Sequence, residues 1–324
     1  MSFLPDLILG GATFNTQYND DPSSIPIADI LRTAFKNGIN AIDSSPYYGP
    51  SEILLGNALF ELKDEFSRDQ YKICTKVGRI GMNEFDYSKE NVRHSVQRSC
   101  ERFHTSYLDL VYLHDVEFTT VDESIEACME LKKLKDEGII RNFGLSGYPL
   151  DYIYKLVYHL TTNYKEEIGN LDVVLSYCNL NLQNTMLNEY YQKLMNCNLK
   201  TICNASILSM SLLRSNETRS FHPCSKELRE AADRSSEYCK SNGVELADLA
   251  TRYALSQWYG KGPTVLGVSS VKELEHSLNS YKKVKKQNGL LDESDNKMIE
   301  HIQRNIFGEH LNETWESGIE HTHI

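Results

Sequence analysis

The stretch LDLVYLH, residues 108–114, is a short apolar run that ends on a polar side chain. Seven further runs of this kind recur along the chain. Most are almost continuously hydrophobic, as are parallel strands that are buried on both faces. The other runs span residues 7–13, 40–44, 72–76, 142–146, 171–178, 201–206 and 263–268. The sequence therefore predicts eight buried strands.

Amphipathic helical patterns lie between these strands. In residues 27–35 apolar side chains fall at i, i+3, i+4, i+7 and i+8, and Gly38 follows as a helix stop. Comparable apolar stripes occupy residues 54–62, 92–103, 127–134 and 274–278. Regular alternation of strand and helix is typical of βαβ units around a parallel sheet.

Eight such units favour the α/β class and a closed (β/α)8 TIM barrel, as a single domain over residues 1–324. A doubly wound sheet is the alternative, but Gly10-Gly11 is followed by Ala-Thr-Phe, so the first turn lacks the GxGxxG pattern. The long gap before the last strand predicts an insertion at about 209–257. Residues from about 283 to 324 have the pattern of a terminal helix and a polar tail.

The composition limits the classes of function. Against 45 Asp+Glu there are 34 Lys+Arg, and the net charge of −11 argues against a nucleic-acid binder and against docking on an anionic membrane. No apolar run reaches the ~18–20 residues of a membrane span, and residues 1–6 lack a signal-peptide pattern, so we expect a cytoplasmic chain. The eight cysteines form no CxxC pair and predict core packing. We expect a small-molecule substrate and a monomer or weak homo-oligomer.

Polar side chains end successive predicted strands. Asp43, Lys76 and His114 each close a strand, and Tyr48 follows Asp43 by five residues. In a barrel these ends meet at one mouth, where a buried Asp pairs with a Lys. A nearby ammonium group lowers the pKa of a phenol from about 10, which makes Tyr48 a proton donor or acceptor, and a neutral His114 can hold a reacting oxygen. Taken singly, each of these residues also has an ordinary structural explanation. The predicted strand ends carry no carboxylate-rich set, so the sequence does not predict a metal site.

These residues resemble the aldo-keto reductase superfamily, over most of the chain. Asp43 and Tyr48 match its Asp-x4-Tyr pattern, Lys76 its strand-end lysine, and YLDLVYLH at 107–114 its Tyr-Leu-Asp-Leu…His segment. The resemblance implies a barrel, a nicotinamide cofactor bound without a Rossmann fold, and hydride transfer at a carbonyl or alcohol. It implies that Tyr48 is the general acid/base, that Lys76 tunes it, that Asp43 orients Lys76 and that His114 positions the substrate.

Four further stretches resemble the sugar 1-dehydrogenases of this superfamily: Asp-Ser-Ser-Pro-Tyr-Tyr-Gly-Pro-Ser-Glu at 43–52, Leu-Ser-Tyr-Cys-Asn at 175–179, Phe-His-Pro-Cys-Ser at 221–225 and Leu-Gly-Val-Ser-Ser at 266–270. The resemblance implies oxidation of the C1 hydroxyl of an aldose to the aldonolactone with NAD, on a route to ascorbate or erythroascorbate. Two alternatives stay open: an NADPH-dependent general aldehyde or carbonyl reductase, and a non-catalytic nicotinamide-binding regulatory subunit. The tail of such barrels often overhangs the mouth, so we expect Phe307 or Trp315 to shape specificity.

The resemblance also implies a cofactor site. Its residues are Thr13, Ser146, Ser176, Ser206, Leu208, Ser211, Gly267, Ser269, Glu273 and Ser277. The chain departs from the superfamily at Gly147, where an asparagine commonly binds the nicotinamide carboxamide, and at Ser176, where many members have glutamine. It also has Asn-Ala-Ser at 204–206 where many members stack a tyrosine on the ring. Tyr177 is the candidate that completes the ring pocket.

The charges after the last predicted strand favour NAD over NADP. A 2′-phosphate requires Lys or Arg, yet Gly267 and Val268 offer no cation, and Glu273 falls where NADP-using members place an arginine. A carboxylate there repels a phosphate and accepts a hydrogen bond from a free ribose hydroxyl. Two other interpretations remain: Lys272 turns inward as the cation, or Glu273 only stabilises the first turn of a helix.

Overall fold

A computed structural model describes residues 3–216 and 218–321. Its strands are β1 (Leu7–Gly10), β2 (Ala41–Asp43), β3 (Lys72–Val77), β4 (Arg79–Gly81), β5 (Glu84–Phe85), β6 (Leu110–His114), β7 (Phe143–Gly147), β8 (Val173–Tyr177), β9 (Thr201–Ala205) and β10 (Thr264–Gly267). Eight of them close into a parallel barrel in the order β1-β10-β9-β8-β7-β6-β3-β2. The predicted strands and the closed barrel are confirmed. The antiparallel hairpin β4–β5, which follows β3, was not predicted because its strands are only three and two residues long.

Helices surround this barrel. They are α1 (Ile27–Lys36), α2 (Ser51–Glu61), α3 (Lys89–Arg102), α4 (Val121–Asp136), α5 (Leu150–Asn163), α6 (Lys165–Ile168), α7 (Leu187–Met195), α8 (Lys226–Ser241), α9 (Leu246–Trp258), α10 (Val271–Lys286) and α11 (Glu293–His301). The predicted apolar stripes lie within or beside helices α1, α2, α3, α4 and α10. Helices α5 and α7 bury comparable apolar faces that the sequence analysis did not single out.

Side chains alternate along each barrel strand between the interior and the helix layer. The interior is filled by Ile8, Ala41, Cys74, Leu110, Tyr112, Val173, Leu175, Cys203, Ala205 and Val265. Strand residues between them, such as Ile42, Ile73 and Leu113, pack in the other apolar layer. By this alternation the next inward position at the C-terminal strand ends is polar on four strands: Asp43, Lys76, His114 and Ser146. The pleat itself thus brings the predicted chemistry to one mouth.

The long connection between β9 and β10 contains α8 and α9. Helix α9 lies against α10, whereas α8 contacts a π-helical turn at Ile302–Phe307. A second apolar cluster joins α8 and α9 to this C-terminal segment, and it contains Phe307, which is 1% exposed. The expectation that Phe307 shapes specificity is wrong, because its side chain is enclosed in a core.

Cysteines serve as small apolar fillers, as predicted. Six of the eight are buried, and Cys74 and Cys203 lie inside the barrel. Within the described ranges, the helices are all too short or too polar to cross a bilayer.

Candidate active site

The centre of the mouth is an ion pair between two neighbouring strand ends. Lys76 Nζ donates to Asp43 Oδ1 at 2.5 Å and to the carbonyl oxygen of Ser44 at 2.9 Å. Lys76 is 2% exposed and Asp43 4%. Burial acts to lower the pKa of Lys76, but the charges of Asp43 and Tyr48 outweigh it and the pKa is raised. The ammonium group therefore stays charged.

Tyr48 lies beside this pair, in the turn after β2. Its ring centre is 4.9 Å from Lys76 Nζ, and its side chain is half-buried. Burial raises the pKa of the Tyr48 hydroxyl above its ordinary value, and Lys76 opposes this without reversing it. Lys76 acts on the pKa of Tyr48 in the predicted direction, but the net pKa is raised, because loss of solvent around the phenolate exceeds the attraction of a single ammonium group.

His114 ends β6 on the other side of Tyr48, with the two ring centres 5.6 Å apart. Its Nδ1 lies 2.9 Å from Ser45 Oγ, which accepts the backbone N–H of Tyr47 at 3.1 Å. We assign the ring proton to Nε2, because the Ser45 hydroxyl then donates its own proton to Nδ1. Burial, together with the positive charges of Lys76 and Arg79, holds the pKa of His114 well below its usual range. The low pKa favours the neutral imidazole that the sequence predicted.

Two residues that sequence reasoning missed, Asp115 and Arg79, adjoin this group. Asp115 carries a buried carboxylate whose Oδ2 lies 3.6 Å from His114 Nε2. Arg79 donates to the same oxygen and stacks on Tyr47, with 4.0 Å from the guanidinium carbon to the ring centre. The available signal was position: Asp115 directly follows a strand-end histidine, and Arg79 follows Lys76 by three residues.

A buried carboxyl group fills the space left by Gly147 at the end of β7. A Cβ atom added at Gly147 would stand 2.5 Å from Glu117 Oε2. The other oxygen, Oε1, accepts the backbone N–H of Tyr148 at 3.0 Å. Burial, helped by the charge of Asp115, raises the pKa of Glu117 to about 8. Glu117 is therefore a protonated carboxyl group at neutral pH.

The C-terminal tail crosses this side of the barrel. The Trp315 indole stacks on Tyr148, with ring centres 4.6 Å apart. Ser317 Oγ donates to Glu117 Oε1 at 3.2 Å, and the backbone N–H of Ile319 donates to the Glu117 carbonyl at 2.9 Å. The tail is thus fixed to the loops after β6 and β7.

Several predicted cofactor residues meet at the opposite side of the mouth. Thr13 Oγ1 donates to the Val268 carbonyl at 2.7 Å, and Asn19 Nδ2 bridges the Thr13 carbonyl at 2.6 Å and Ser269 Oγ at 3.0 Å. Glu273 Oε2 accepts the backbone N–H of Ser269 at 2.7 Å, and Ser270 Oγ caps α10 by accepting the N–H of Glu273 at 3.2 Å. Ser277 lies one turn further along this helix and is half-buried, and Gly267 leaves the strand end without a side chain.

The loop after β9 carries the other predicted cofactor residues. Ser206, Ser209, Met210 and Ser211 all have positive φ, between 47° and 89°. Ser206 Oγ accepts the N–H of Met210 at 3.0 Å and Ser211 Oγ accepts that of Arg219 at 2.9 Å, while Leu208 packs below. Backbone in such conformations turns successive N–H groups toward one point and is concentrated at ligand sites.

Ser176 is the predicted cofactor residue that the structure separates from the others. It is fully buried, and its Oγ accepts from Asn179 Nδ2 at 2.9 Å. It alternates with Leu175 and Tyr177, which belong to the interior cluster, so its side chain faces the helix layer. Tyr177 is the residue of β8 that reaches the mouth.

The mouth fits a nicotinamide dinucleotide. Among the residues described, several buried polar atoms around it have no protein hydrogen-bond partner, and they include Asp43 Oδ2, Ser146 Oγ, Ser209 Oγ and Arg219 Nε. Buried polar atoms are rarely left in this way without a ligand or water to satisfy them. Donors and acceptors extend from the tetrad of Asp43, Tyr48, Lys76 and His114 to the loop after β9. They suit an extended molecule with amide, hydroxyl and phosphate groups.

Comparisons with known proteins agree with this geometry. The model of the aldo/keto reductase family matches residues 6–296. The chain is 60% identical to D-arabinose 1-dehydrogenase of Saccharomyces cerevisiae, over 97% of this chain and 94% of that protein. It is 33% identical to L-galactose dehydrogenase of Arabidopsis thaliana, over 95% and 91%. A solved Pseudomonas aeruginosa structure described as an aldo-keto reductase shares the fold, with a TM-score of 0.60, 22% identity and coverage of 87% and 92%.

Proposed function

Because the chain belongs to the aldo/keto reductase family, we propose that it is an NAD-dependent aldose 1-dehydrogenase. It oxidises the C1 hydroxyl of an aldose such as D-arabinose to the aldonolactone, on a route to erythroascorbate. The observation that carries the chemistry is the meeting of Tyr48, the Lys76–Asp43 pair and a neutral His114 at one mouth. The relative that is 60% identical over 97% of the chain supports the substrate class.

In this proposal Tyr48 takes the proton of the C1 hydroxyl. Only the phenolate form accepts a proton, and burial raises the pKa of the phenol, so the phenolate is scarce at neutral pH. The Lys76 ammonium group opposes burial and is held in place by Asp43 at 2.5 Å. Because the phenolate fraction grows as pH rises, oxidation is favoured at alkaline pH.

His114 holds the oxygen that loses this proton. Its Nδ1 is occupied by Ser45, so Nε2–H faces the mouth as a neutral donor. A neutral donor binds the hydroxyl and the carbonyl oxygen alike, and it does not compete with Tyr48 as an acid, since the pKa of His114 is well below its usual range.

The family implies a nicotinamide cofactor, which when bound supplies the ring that accepts the C1 hydride. Ser146 Oγ, unpartnered among the described side chains, would hold the ring amide, and Asp43 Oδ2 a ribose hydroxyl. The positive-φ loop that carries Ser206, Leu208 and Ser211, together with Arg219, would hold the pyrophosphate.

We assign NAD rather than NADP. The Glu273 carboxylate accepts the N–H of Ser269 through Oε2 and keeps an acceptor for a ribose hydroxyl, whereas it repels a 2′-phosphate. Arg214 is a further cation whose charge interacts with that of Glu273. Burial and the charge of Arg219 lower the pKa of Arg214, whereas the charge of Glu273 raises it. Glu273 therefore offsets part of the positive charge of Arg214.

We further propose a cytoplasmic monomer or weak homo-oligomer. The net charge of −11 keeps copies apart, and burial of six of eight cysteines suits a reducing compartment. Light scattering behind size-exclusion chromatography measures the mass directly, and a stable tetramer would contradict the assignment.

The deciding experiment measures initial rates at 340 nm with D-arabinose, L-galactose and L-fucose, each with NAD and with NADP. We expect NADH formation with the pentose at the highest kcat/KM. A protein that oxidises no aldose but consumes NADPH with simple aldehydes would be a carbonyl reductase, and one that binds NAD without turnover on either class would be a regulatory subunit.

A further inference from the structure

The Asp115 carboxylate has no part in the mechanism above, yet it lies beside the nitrogen that holds the reacting oxygen. Its Oδ2 is 3.6 Å from His114 Nε2. This separation is too long for a hydrogen bond, so the Nε2–H proton remains available to the substrate. Any oxygen bound by Nε2–H therefore has a carboxylate as its immediate neighbour.

The backbone of Asp115 is strained into position. Its φ is +57°, in the left-handed region, although its side chain carries a Cβ atom. The residue is 3% exposed, which is unusual for a carboxylate. Strain of this kind persists where the surrounding structure requires one particular placement of a side chain.

Arg79 fixes the direction of the carboxylate. Its Nη1 donates to Asp115 Oδ2, while Nη2 donates to Tyr47 Oη at 3.3 Å and to the Met82 carbonyl at 3.0 Å. Stacking on Tyr47 at 4.0 Å keeps the guanidinium plane in place. The pair presents a carboxylate, a cation and an aromatic edge at the rim of the mouth, which together suit a polyhydroxylated molecule.

The chemistry of an aldose matches this neighbour. The carbon next to C1 carries a hydroxyl group, and two vicinal hydroxyl oxygens lie about one hydrogen-bond length apart. With O1 held by His114 Nε2–H, the C2 hydroxyl falls within reach of Asp115. A hydroxyl donates and a carboxylate only accepts, so the two are complementary.

We propose that Asp115 accepts a hydrogen bond from the C2 hydroxyl of the substrate and so determines the preference for polyhydroxylated aldoses, with Arg79 as its positioning residue. This inference rests on the proposed function of the same site. A purely structural alternative exists, because Arg79 also bonds the β4–β5 hairpin. That alternative predicts equal losses on every substrate when Asp115 is changed.

The test compares two pentoses that differ only at C2: D-arabinose and 2-deoxy-D-ribose, which is also the 2-deoxy form of D-arabinose. Asp115→Asn keeps the shape and tolerates a left-handed φ but removes the charge. We expect kcat/KM for D-arabinose to fall about tenfold, mainly through KM, since a charge-assisted hydrogen bond becomes a neutral one. For the 2-deoxy sugar we expect a change of less than about twofold.

Two controls separate the outcomes. Asp122→Asn makes the same substitution at an exposed residue of α4 and is expected to leave the ratio of the two pentoses unchanged. Arg79→Lys keeps the positive charge but loses the planar guanidinium group with its several N–H donors. It should reduce the ratio of kcat/KM for D-arabinose over the 2-deoxy sugar by a smaller factor than Asp115→Asn does. Equal losses of Asp115→Asn on both pentoses, or no loss on either, would overturn the inference while the proposed function stands. A wild-type enzyme that oxidises neither pentose would overturn both.

Discussion

The two halves of the barrel mouth are built differently. The catalytic half, on β2, β3 and β6, makes most of its polar contacts within the protein: Lys76 to Asp43 at 2.5 Å and Ser45 to His114 at 2.9 Å. The dinucleotide half, after β9 and β10, contains Ser209 Oγ and Arg219 Nε, which have no partner in the described parts of the chain.

The catalytic half is therefore preorganised, whereas the dinucleotide half is completed by its ligand. Groups that are already paired require no rearrangement when charge moves in the reaction. Groups without a partner are satisfied when a ligand binds, and the ligand then stabilises the loop that carries them. Apart from Asp43, whose Oδ2 has no partner among the described residues, substitutions in the catalytic half should therefore change turnover and stability without cofactor, whereas those in the dinucleotide half should change cofactor affinity.

Tyr48→Phe gives the largest expected effect. Removing the group that accepts the proton should lower kcat about 10²- to 10⁴-fold, while the Kd for NAD, measured by calorimetry, stays unchanged. Tyr158→Phe, at a residue that is 55% exposed, is the matched control. Loss of NAD binding in Tyr48→Phe would break the division between the two halves.

Lys76→Met tests the pairing itself. It leaves the Asp43 carboxylate buried without its cation, which should lower the free energy of unfolding by about 3–5 kcal/mol. The double variant Asp43→Asn/Lys76→Met should recover part of this loss. Urea denaturation measures both, and Lys297→Met, whose side chain is 73% exposed, should change stability by less than about 0.5 kcal/mol. A single variant as stable as the double one would contradict the pairing.

Glu117→Gln tests how the stability of the folded chain depends on pH. The pKa of Glu117 is raised from 4.5 to about 8 in the folded chain. Between these values the unfolded state releases its proton and the folded state keeps it, so this group lowers stability by about 1.4 kcal/mol per pH unit as pH rises. The free energy of unfolding of the variant, relative to that of the wild type, should therefore rise from pH 5 to pH 8 and stay constant above pH 8. Urea denaturation at pH 5, 7 and 9 measures this difference. A difference that does not vary with pH would show that Glu117 titrates normally.

Glu273→Arg gives the smallest effect and addresses the dinucleotide half. Replacing a carboxylate by a cation should raise the ratio of kcat/KM for NADP over NAD about tenfold. Glu275→Arg, an equal change of charge at another exposed residue of α10, is the control. An unchanged cofactor ratio would mean that Glu273 only stabilises the first turn of α10.

The eight strands and the tetrad could be predicted because each is a local signal. A continuous apolar run marks a buried strand, and the last polar residue of such a run marks the mouth. The hairpin β4–β5 could not be predicted, because strands of three and two residues are too short to show a hydrophobic periodicity.

The rest of the site depends on contacts between distant segments. Arg79 and Asp115 are 36 residues apart and meet only when β3 pairs with β6. The direction of the Tyr48 pKa depends on how completely solvent is removed, which a list of neighbouring residues does not give. Ser176 was assigned to the mouth from its place in a motif, while the pleat turns its side chain outward.

Gly147 and Glu117 occupy one volume between them, since a Cβ at 147 would meet Glu117 Oε2 at 2.5 Å. Neither position can change freely while the other stays as it is. A larger side chain at 147 requires the Glu117 carboxyl group to move or residue 117 to be shortened, whereas a smaller residue at 117 alone leaves a void. The two positions are therefore coupled, and mutant libraries aimed at this wall of the site should vary both codons together.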